Sequence, residues 1–307
     1  MEGVMDHLMR EMLTDIGGYD LCVTEFVRVV DRCMPARVFY RFCPELHQNG
    51  RTKAGTPVRV QLLGQEPSVM ADNAAVAVEL GSAGIDLNFG CPAKQVNKSS
   101  GGAALLKQPN DIFKVVDAVR KSVPREQPVS AKIRLGWDDT SLLEETVDAI
   151  NQAGASMLTV HARTKTQGYR PPAHWHEISR VSEMAAMPVV ANGDIVDAIS
   201  AQQCMNASST RRLMIGRGAL MLPNAAQVVR GLEHEMPWHE VLALLLRYSE
   251  FEIEGDKGKY YPNRLKQWLA YLKKQYPEAD QLFRQIRAFN KSAPIVAFLE
   301  QFNKVNP

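Results

Sequence analysis

The run VRVQLLGQEPSVMADNAAVAVELGSAGIDLNF, from Val58 to Phe89, carries one complete strand–helix–strand unit. Its β-rich ends, Val58–Leu63 and Ile85–Phe89, read as strands. Between them Ser68–Leu80 has a helical pattern, opened by Pro67 and closed by Gly81. Proline at a helix start loses no hydrogen bond, and glycine past the end permits the turn that stops one. Working outward, the alternation repeats. Leu21–Thr24, Val129–Ile133, Met157–His161, Val189–Asn192 and Leu213–Gly216 read as strands, and Asp111–Lys121, Leu142–Gln152 and Asp197–Cys204 as helices. Such alternation implies an α/β chain with a parallel sheet, and the number of units favours a (β/α)8 TIM barrel over an open sheet. Only seven strands are legible, because Met1-Glu2-Gly3-Val4 reads as a loop leading into a helix. The expectation is therefore a barrel whose first strand is missing from a shortened chain, since an open barrel leaves two strand edges unpaired.

Beyond Gly231 the strands stop. Glu240–Ile253, Arg264–Gln275 and Ala279–Phe289 look helical, separated by breaks at Pro237 and across Gly255–Pro262. The organisation expected is a catalytic barrel over residues 1–232 and a helical domain over 238–307. At 307 residues the chain is long enough for both. Its 45% hydrophobic and 23% charged residues are ordinary for a soluble protein. With no bilayer-spanning apolar run and no leader-like start, a cytoplasmic location and no membrane partner are expected. The five dispersed cysteines form no C-x-x-C pair, which argues against a disulfide framework and against a metal site. A net charge of +2 decides nothing, since a basic face can sit inside a balanced total.

In barrels of this kind catalytic groups stand at the C-terminal ends of strands. Gln61, Asn88, Lys132, His161 and Asn192 fall there, with Gly216 closing the last strand. Several polar strand ends converging on one rim mark a site. Gly193 and Gly216-Arg217-Gly218 follow the last two strands, where bare backbone N–H groups often bind phosphate. Two ordinary tight turns would read the same way. Lys132 admits three readings: a paired core lysine, a Schiff-base nucleophile, or a cation facing the electron-rich edge of a flavin. His161 taken alone reads as a strand-end histidine with its hydrogen bonds satisfied. Cys91 lies between Gly90 and Pro92 on a rim loop. A free thiol, with a pKa of about 8.5, is mostly protonated near neutrality and suits a general acid.

These residues resemble the tRNA-dihydrouridine synthase family of barrel flavoenzymes. The resemblance rests on Met1-Glu2-Gly3-Val4, Val60-Gln61-Leu62, Asn88-Phe89-Gly90-Cys91-Pro92 and Lys132-Ile133-Arg134-Leu135-Gly136. It continues through His161-Ala162-Arg163-Thr164, Ala191-Asn192-Gly193-Asp194 and Ile215-Gly216-Arg217-Gly218, in family order over nearly the whole barrel. Thr24-Glu25-Phe26-Val27-Arg28 and Arg264-Leu265-Lys266-Gln267-Trp268-Leu269 resemble the C branch, which acts on uridine 16 of the tRNA D-loop.

The resemblance implies FMN as cofactor and NADPH as electron source. It implies that Met1, Glu2, Gln61, Lys132, His161, Asn192, Gly193, Asp194, Gly216 and Arg217 hold FMN, and that Cys91 gives the proton to C5 as hydride reaches C6. It further implies that Arg28, Asn88, Tyr169, Arg264, Lys266, Tyr271 and Arg287 contact tRNA, in a protein acting as a monomer. From Lys257 to Lys291 nine Lys and Arg stand against only Glu278 and Asp280, which beside an RNA-modifying barrel reads as a nucleic-acid surface. Ser209-Thr210-Arg211-Arg212 departs from the family's usual turn, and its paired arginines are expected to loosen the start of the last strand.

Three other readings stay open. A barrel flavoprotein reducing a free pyrimidine would explain Lys132 but not the basic helices. A Schiff-base aldolase would be colourless. A shortened barrel that only binds tRNA would carry no flavin.

Overall fold

The computed structural model describes residues 3–251 and 258–305. Its first half runs α1 (His7–Ile16), β1 (Cys22–Arg28), α2 (Ala36–Phe42), β2 (Val58–Leu63), α3 (Pro67–Glu79), β3 (Ile85–Asn88), α4 (Lys94–Lys98), α5 (Pro109–Ser122), β4 (Val129–Arg134) and α6 (Leu143–Gln152). There follow β5 (Met157–His161), α7 (Trp175–Met184), β6 (Val189–Asn192), α8 (Ala198–Ser208), β7 (Leu213–Met214), α9 (Arg217–Met221) and α10 (Ala225–Val229). The chain then becomes helical: α11 (Trp238–Tyr248), α12 (Tyr261–Leu272), α13 (Pro277–Ile286) and α14 (Ser292–Val305). Short 3-10 turns cover Pro44–Gln48 and Gly102–Lys107.

Among the described residues the seven strands form one parallel sheet in chain order, β1 to β7. This is the TIM-like sheet expected, with β1 and β7 at its two edges. Helices alternate with the strands as the sequence pattern requires. In α5, Ile112, Val115, Val116 and Val119 are all buried and fall on one face at helical spacing. Pro109 opens that helix, Asp111 stands in its first turn and Arg120 and Lys121 in its last, each where the helix dipole favours it. Asp197 caps α8 by accepting from the Ser200 backbone N–H, and Ser200 returns the bond in a capping box.

Two strands differ from expectation. β1 continues past Thr24 to Arg28, because its register with β2 slips by one residue between Val23 and Phe26. This is a bulge, and the Thr24 hydroxyl fills the gap by accepting from Gln61 N at 3.0 Å. A bulge breaks the two-residue period, which is why the strand seemed to stop there. β7, expected over Leu213–Gly216, is only two residues long. Its approach is tied all the same. Thr210 Oγ1 donates to Val189 O at 2.7 Å, and Ala191 N donates to Arg212 O at 2.9 Å. α2, α7 and α14 were not legible in the sequence, and α11 stops at Tyr248 rather than Ile253.

Two hydrophobic cores result. One lies between the sheet and its helices, and includes Val60, Leu62, Leu87, Ile133 and Val160. The other gathers α11–α14 with Leu8, Met9, Met12 and Leu13 of α1 and with Ala219–Val228. Trp268, fully buried in α12, donates from Nε1 to Leu220 O at 3.1 Å. The helical core therefore draws in segments from both ends of the barrel half of the chain. No helix among the described residues is long and apolar enough to cross a membrane.

Candidate active site at the strand ends

Alternation along the strands builds the site. In β3 and β4 apolar and polar residues alternate throughout, and in β2 and β5 they do so except at Leu63 and Met157, with the apolar set packed toward the helices. Cross-strand register places the polar set in rows. Gln61 pairs with Asp86, which pairs with Ser130. Asn88 pairs with Lys132, which pairs with Thr159. Arg134 pairs with His161, which pairs with Asn192, then Met214. Equal register along parallel strands puts these side chains on one face.

They bind one another. Asn88 Nδ2 donates to Gln61 Oε1 at 2.8 Å, Gln61 Nε2 to Asp86 Oδ2 at 2.7 Å, and Ser130 Oγ to Asp86 Oδ1 at 2.6 Å. Burial pushes the Asp86 carboxyl up, while these two donors and then Lys132 and Arg59 pull it down. Lys132 Nζ donates to Asn192 Oδ1 at 2.8 Å, and Asn192 Nδ2 in turn to Met214 O at 2.8 Å. Burial first, and Arg134 next, lower the Lys132 ammonium to about 8. His161 is lowered to about 2, by burial and then by Lys132, Arg134, Arg163 and Arg217, so its imidazole is neutral at physiological pH. Its Nδ1 is buried and has no hydrogen-bond partner, so it is not the satisfied strand-end histidine of the simplest expectation.

Cys91 sits on the loop after β3, half-buried and outside any disulfide. Its carbonyl accepts from Asn97 Nδ2 at 3.1 Å and from Ala103 N at 3.1 Å, and Arg134 Nε donates to Gly90 O at 2.8 Å. The thiol lies within electrostatic reach of Arg134. Gly102, at φ +60°, packs under it, where a Cβ would meet Cys91 O at 3.0 Å and Cys91 Cβ at 3.1 Å. The loop is thus held on three sides.

Across the mouth, Tyr169 is 53% exposed. The Arg134 and Arg217 guanidinium carbons lie 5.2 and 5.0 Å from its ring centroid, and the His161 ring meets it edge-on at 6.0 Å. Arg134 Nη1 also donates to Thr164 O at 3.1 Å and Gly168 O at 2.9 Å, fixing the loop that carries Tyr169. Asp194 bridges Arg163 and Arg217. The Gly193 carbonyl accepts from Trp175 Nε1 at 2.8 Å. Gly218 is explained by packing, because a Cβ there would fall 2.1 Å from Ile195 O.

The donor set fits a flavin nucleotide. Four cations surround one neutral histidine with a single carboxylate, Asp194, in direct contact. A phosphate and an electron-rich ring edge match that excess of positive charge. The orphaned His161 Nδ1 is the kind of buried polar atom that needs a partner from outside the chain. Among the described residues no cluster of three or more His, Cys, Asp or Glu could hold a metal.

Residues 1–305 match the dihydrouridine synthase (Dus) family. The chain belongs to the dihydrouridine synthase family. Proteins named tRNA-dihydrouridine(16) synthase are similar to it over 98% of its length: one from Vibrio cholerae at 55% identity, covering 94% of that protein, and one from Escherichia coli K12 at 54%, covering 96%. Two solved structures share the fold of this dihydrouridine synthase. One, described as TcOYE with pHBA, has a TM-score of 0.51 at 11% identity and covers 75% of this chain and 85% of its own. The other, a variant of NCR from Zymomonas mobilis, also gives 0.51, at 14% identity, covering 74% and 80%. As a member of this family the chain is a flavin-dependent oxidoreductase.

The expected site residues of this dihydrouridine synthase fall into three groups. Gln61, Asn88, Lys132, His161 and Asn192 form the polar face, with Asp194, Arg217 and Tyr169 beside it. Met1, Glu2 and Lys257 lie outside the described residues. Cys91, Gly193 and Gly216 lie on the loops that close this rim, whereas Arg28, Arg264, Lys266, Tyr271 and Arg287 are peripheral. Arg28 is exposed at the end of β1 and donates to Ser99 Oγ at 2.8 Å, bracing α4 of the cysteine loop. On the C-terminal helices the basic face is more engaged than the sequence implied. Lys266 Nζ donates to Phe289 O at 2.6 Å, and Tyr271 packs against the helical core. Arg264 is half-buried, and Lys273 and Arg284 both reach Asp280, at 3.5 and 2.6 Å. Arg287 at the end of α13 stays exposed. Asp86, Ser130, Arg134 and Arg163 were not singled out as site residues. Their signal was the two-residue polar period inside runs such as Val129–Arg134, which reading only strand ends overlooks.

Proposed function

We propose that this protein reduces the C5–C6 double bond of a D-loop uridine in tRNA, at position 16, using FMN and NADPH. The observation that carries the reading is the cysteine loop, held by Arg134, Asn97 and Ala103 at the edge of a cation-rich polar face. The names of the relatives supply the substrate and the position.

FMN, when bound, supplies the hydride that reaches C6, with NADPH as its source. Gln61, Lys132, His161, Asn192, Gly193, Asp194, Gly216 and Arg217 are the described residues that would hold it. Lys132 would offer a positive charge to the electron-rich part of the flavin. Arg217, set by Asp194, would offer one to its phosphate. His161 stays neutral and so binds and orients rather than giving up a proton. Cys91 delivers the proton to C5. The uracil must be presented unstacked, which costs a few kcal/mol in folded RNA, and Tyr169 offers an exposed ring for a neighbouring base. Arg28, Asn88, Arg264, Lys266, Tyr271 and Arg287 belong to the tRNA contacts in this reading, with Asn88 and Lys266 acting partly through the bonds that fix them.

Replacing Cys91 by Ala tests this. The variant is expected to retain its yellow flavin and its affinity for tRNA, and to lose activity by a factor on the order of 10²–10⁴. Near-normal turnover, scored by mapping dihydrouridine to individual positions, would overturn the role of Cys91. Turnover of free uridine matching that of tRNA would favour a reductase of free pyrimidines instead.

A further inference from the structure

A cavity of about 810 Å³ opens at the same rim, between the loops that follow β2, β3, β4 and β5. Lys94, Lys98, Lys107, Lys114 and Lys165 line it. Of its two carboxylates, Asp111 is paired with Lys114 at 2.9 Å and Glu66 accepts from Ser68 at 3.4 Å. The other four lysines have no carboxylate partner among the described residues. Two of them are held in place by Trp137, with Lys107 Nζ and Lys165 Nζ each 4.0 Å from its ring centroid. Like charges gathered in one concavity repel one another, so this arrangement does not exist for stability.

We propose that this cavity binds phosphates of the RNA strand on either side of the reacting base. The inference rests on the tRNA reading above and extends it to a second anchoring point, apart from the C-terminal helices. Three observations select this occupant. Lys94 is three residues from Cys91, so their Cα atoms are at most about 11 Å apart, within reach of the neighbours of a base held at Cys91. The charges are ammonium groups spread over α4, the 3-10 turn Gly102–Lys107, α5 and the loop after β5, point charges that suit a backbone passing through rather than one forked grip. No glycine lines the cavity, so it lacks the bare-backbone cradle typical of sites for a dinucleotide's pyrophosphate.

The test uses the full-length FMN-loaded protein and its Lys107→Gln/Lys165→Gln double variant. tRNA affinity is measured across a salt series, together with flavin content and the rate of flavin reduction by NADPH. The variant is expected to bind tRNA several-fold more weakly, with the slope of log affinity against log salt shallower by about 1.4, which is about 0.7 for each single-strand phosphate no longer neutralised. Flavin content and reduction rate should match the parent. A variant with the parent's affinity and slope overturns the cavity's role while leaving the tRNA reading intact. Slowed reduction with unchanged tRNA binding reassigns the cavity to the nucleotide donor. Failure of the parent itself to bind tRNA overturns the functional reading, and this inference with it.

Discussion

At the residue scale the site is governed by charges removed from water. Among the described residues the hydrogen-bond acceptor of Lys132 is a neutral amide oxygen, and burial lowers its ammonium to about 8. Below that pH it is charged in the ligand-free protein, and above it the proton leaves. A cofactor with an electron-rich edge prefers the charged form. FMN affinity should therefore be level below about pH 8 and weaken above it, by at most about tenfold per pH unit for one linked proton. Lys132→Met should bind FMN more weakly and lose that alkaline dependence, as read by flavin fluorescence titration at pH 7 and 9. Retention of the dependence would place the titrating group elsewhere. The strand-end positions of Lys132 and His161 were legible in the sequence. Their depressed pKa values were not, because four cations from β4, the loop after β5 and the start of α9 meet only in the folded sheet.

Among elements, the most consequential contact is also one that no pattern announces. Arg10 of α1 is fully buried, and its Nε and Nη2 each lie 2.8 Å from a Glu45 carboxylate oxygen. Nη2 further donates to Phe42 O at 2.9 Å, so the pair fastens α1 to the turn after α2. Removing one partner strands a buried charge. Arg10→Met is expected to lower stability by about 3–5 kcal/mol, and Arg10→Met/Glu45→Leu to recover much of that stability. Urea denaturation of the three proteins checks this, and a double variant no better than the single would mean that the geometry itself is required. The bulge in β1 belongs to the same scale. A hydroxyl can complete a ladder that the backbone has slipped, but only the register shows that Thr24 does so.

For the whole molecule, the decisive feature is that the helical core is not confined to the C-terminal helices. α1 and Ala219–Val228 contribute Leu8, Met12, Leu13, Leu220 and Leu222 to it. A chain ending at residue 232 would expose that surface, and each such side chain accounts for about 1.5–3 kcal/mol of burial. The 1–232 fragment is therefore expected to bind ANS and to unfold without a cooperative transition, whereas the full chain unfolds sharply. A cooperative, ANS-silent fragment would instead show two independently folding domains. The change from alternating elements to helices after Gly231 was legible in composition and period. That helices from opposite ends of the chain share one core was not.

The sequence alone determined the alternation of strands and helices, the parallel sheet, the cysteine loop and the family, because these depend on local period and on motifs close together in the chain. Tertiary structure alone decided which polar residues face one another, which lysines are left without a counter-charge, and which hydrophobic faces meet. Register, burial and the electric field at a side chain are sums over elements distant in sequence, and a linear pattern holds no record of those distances.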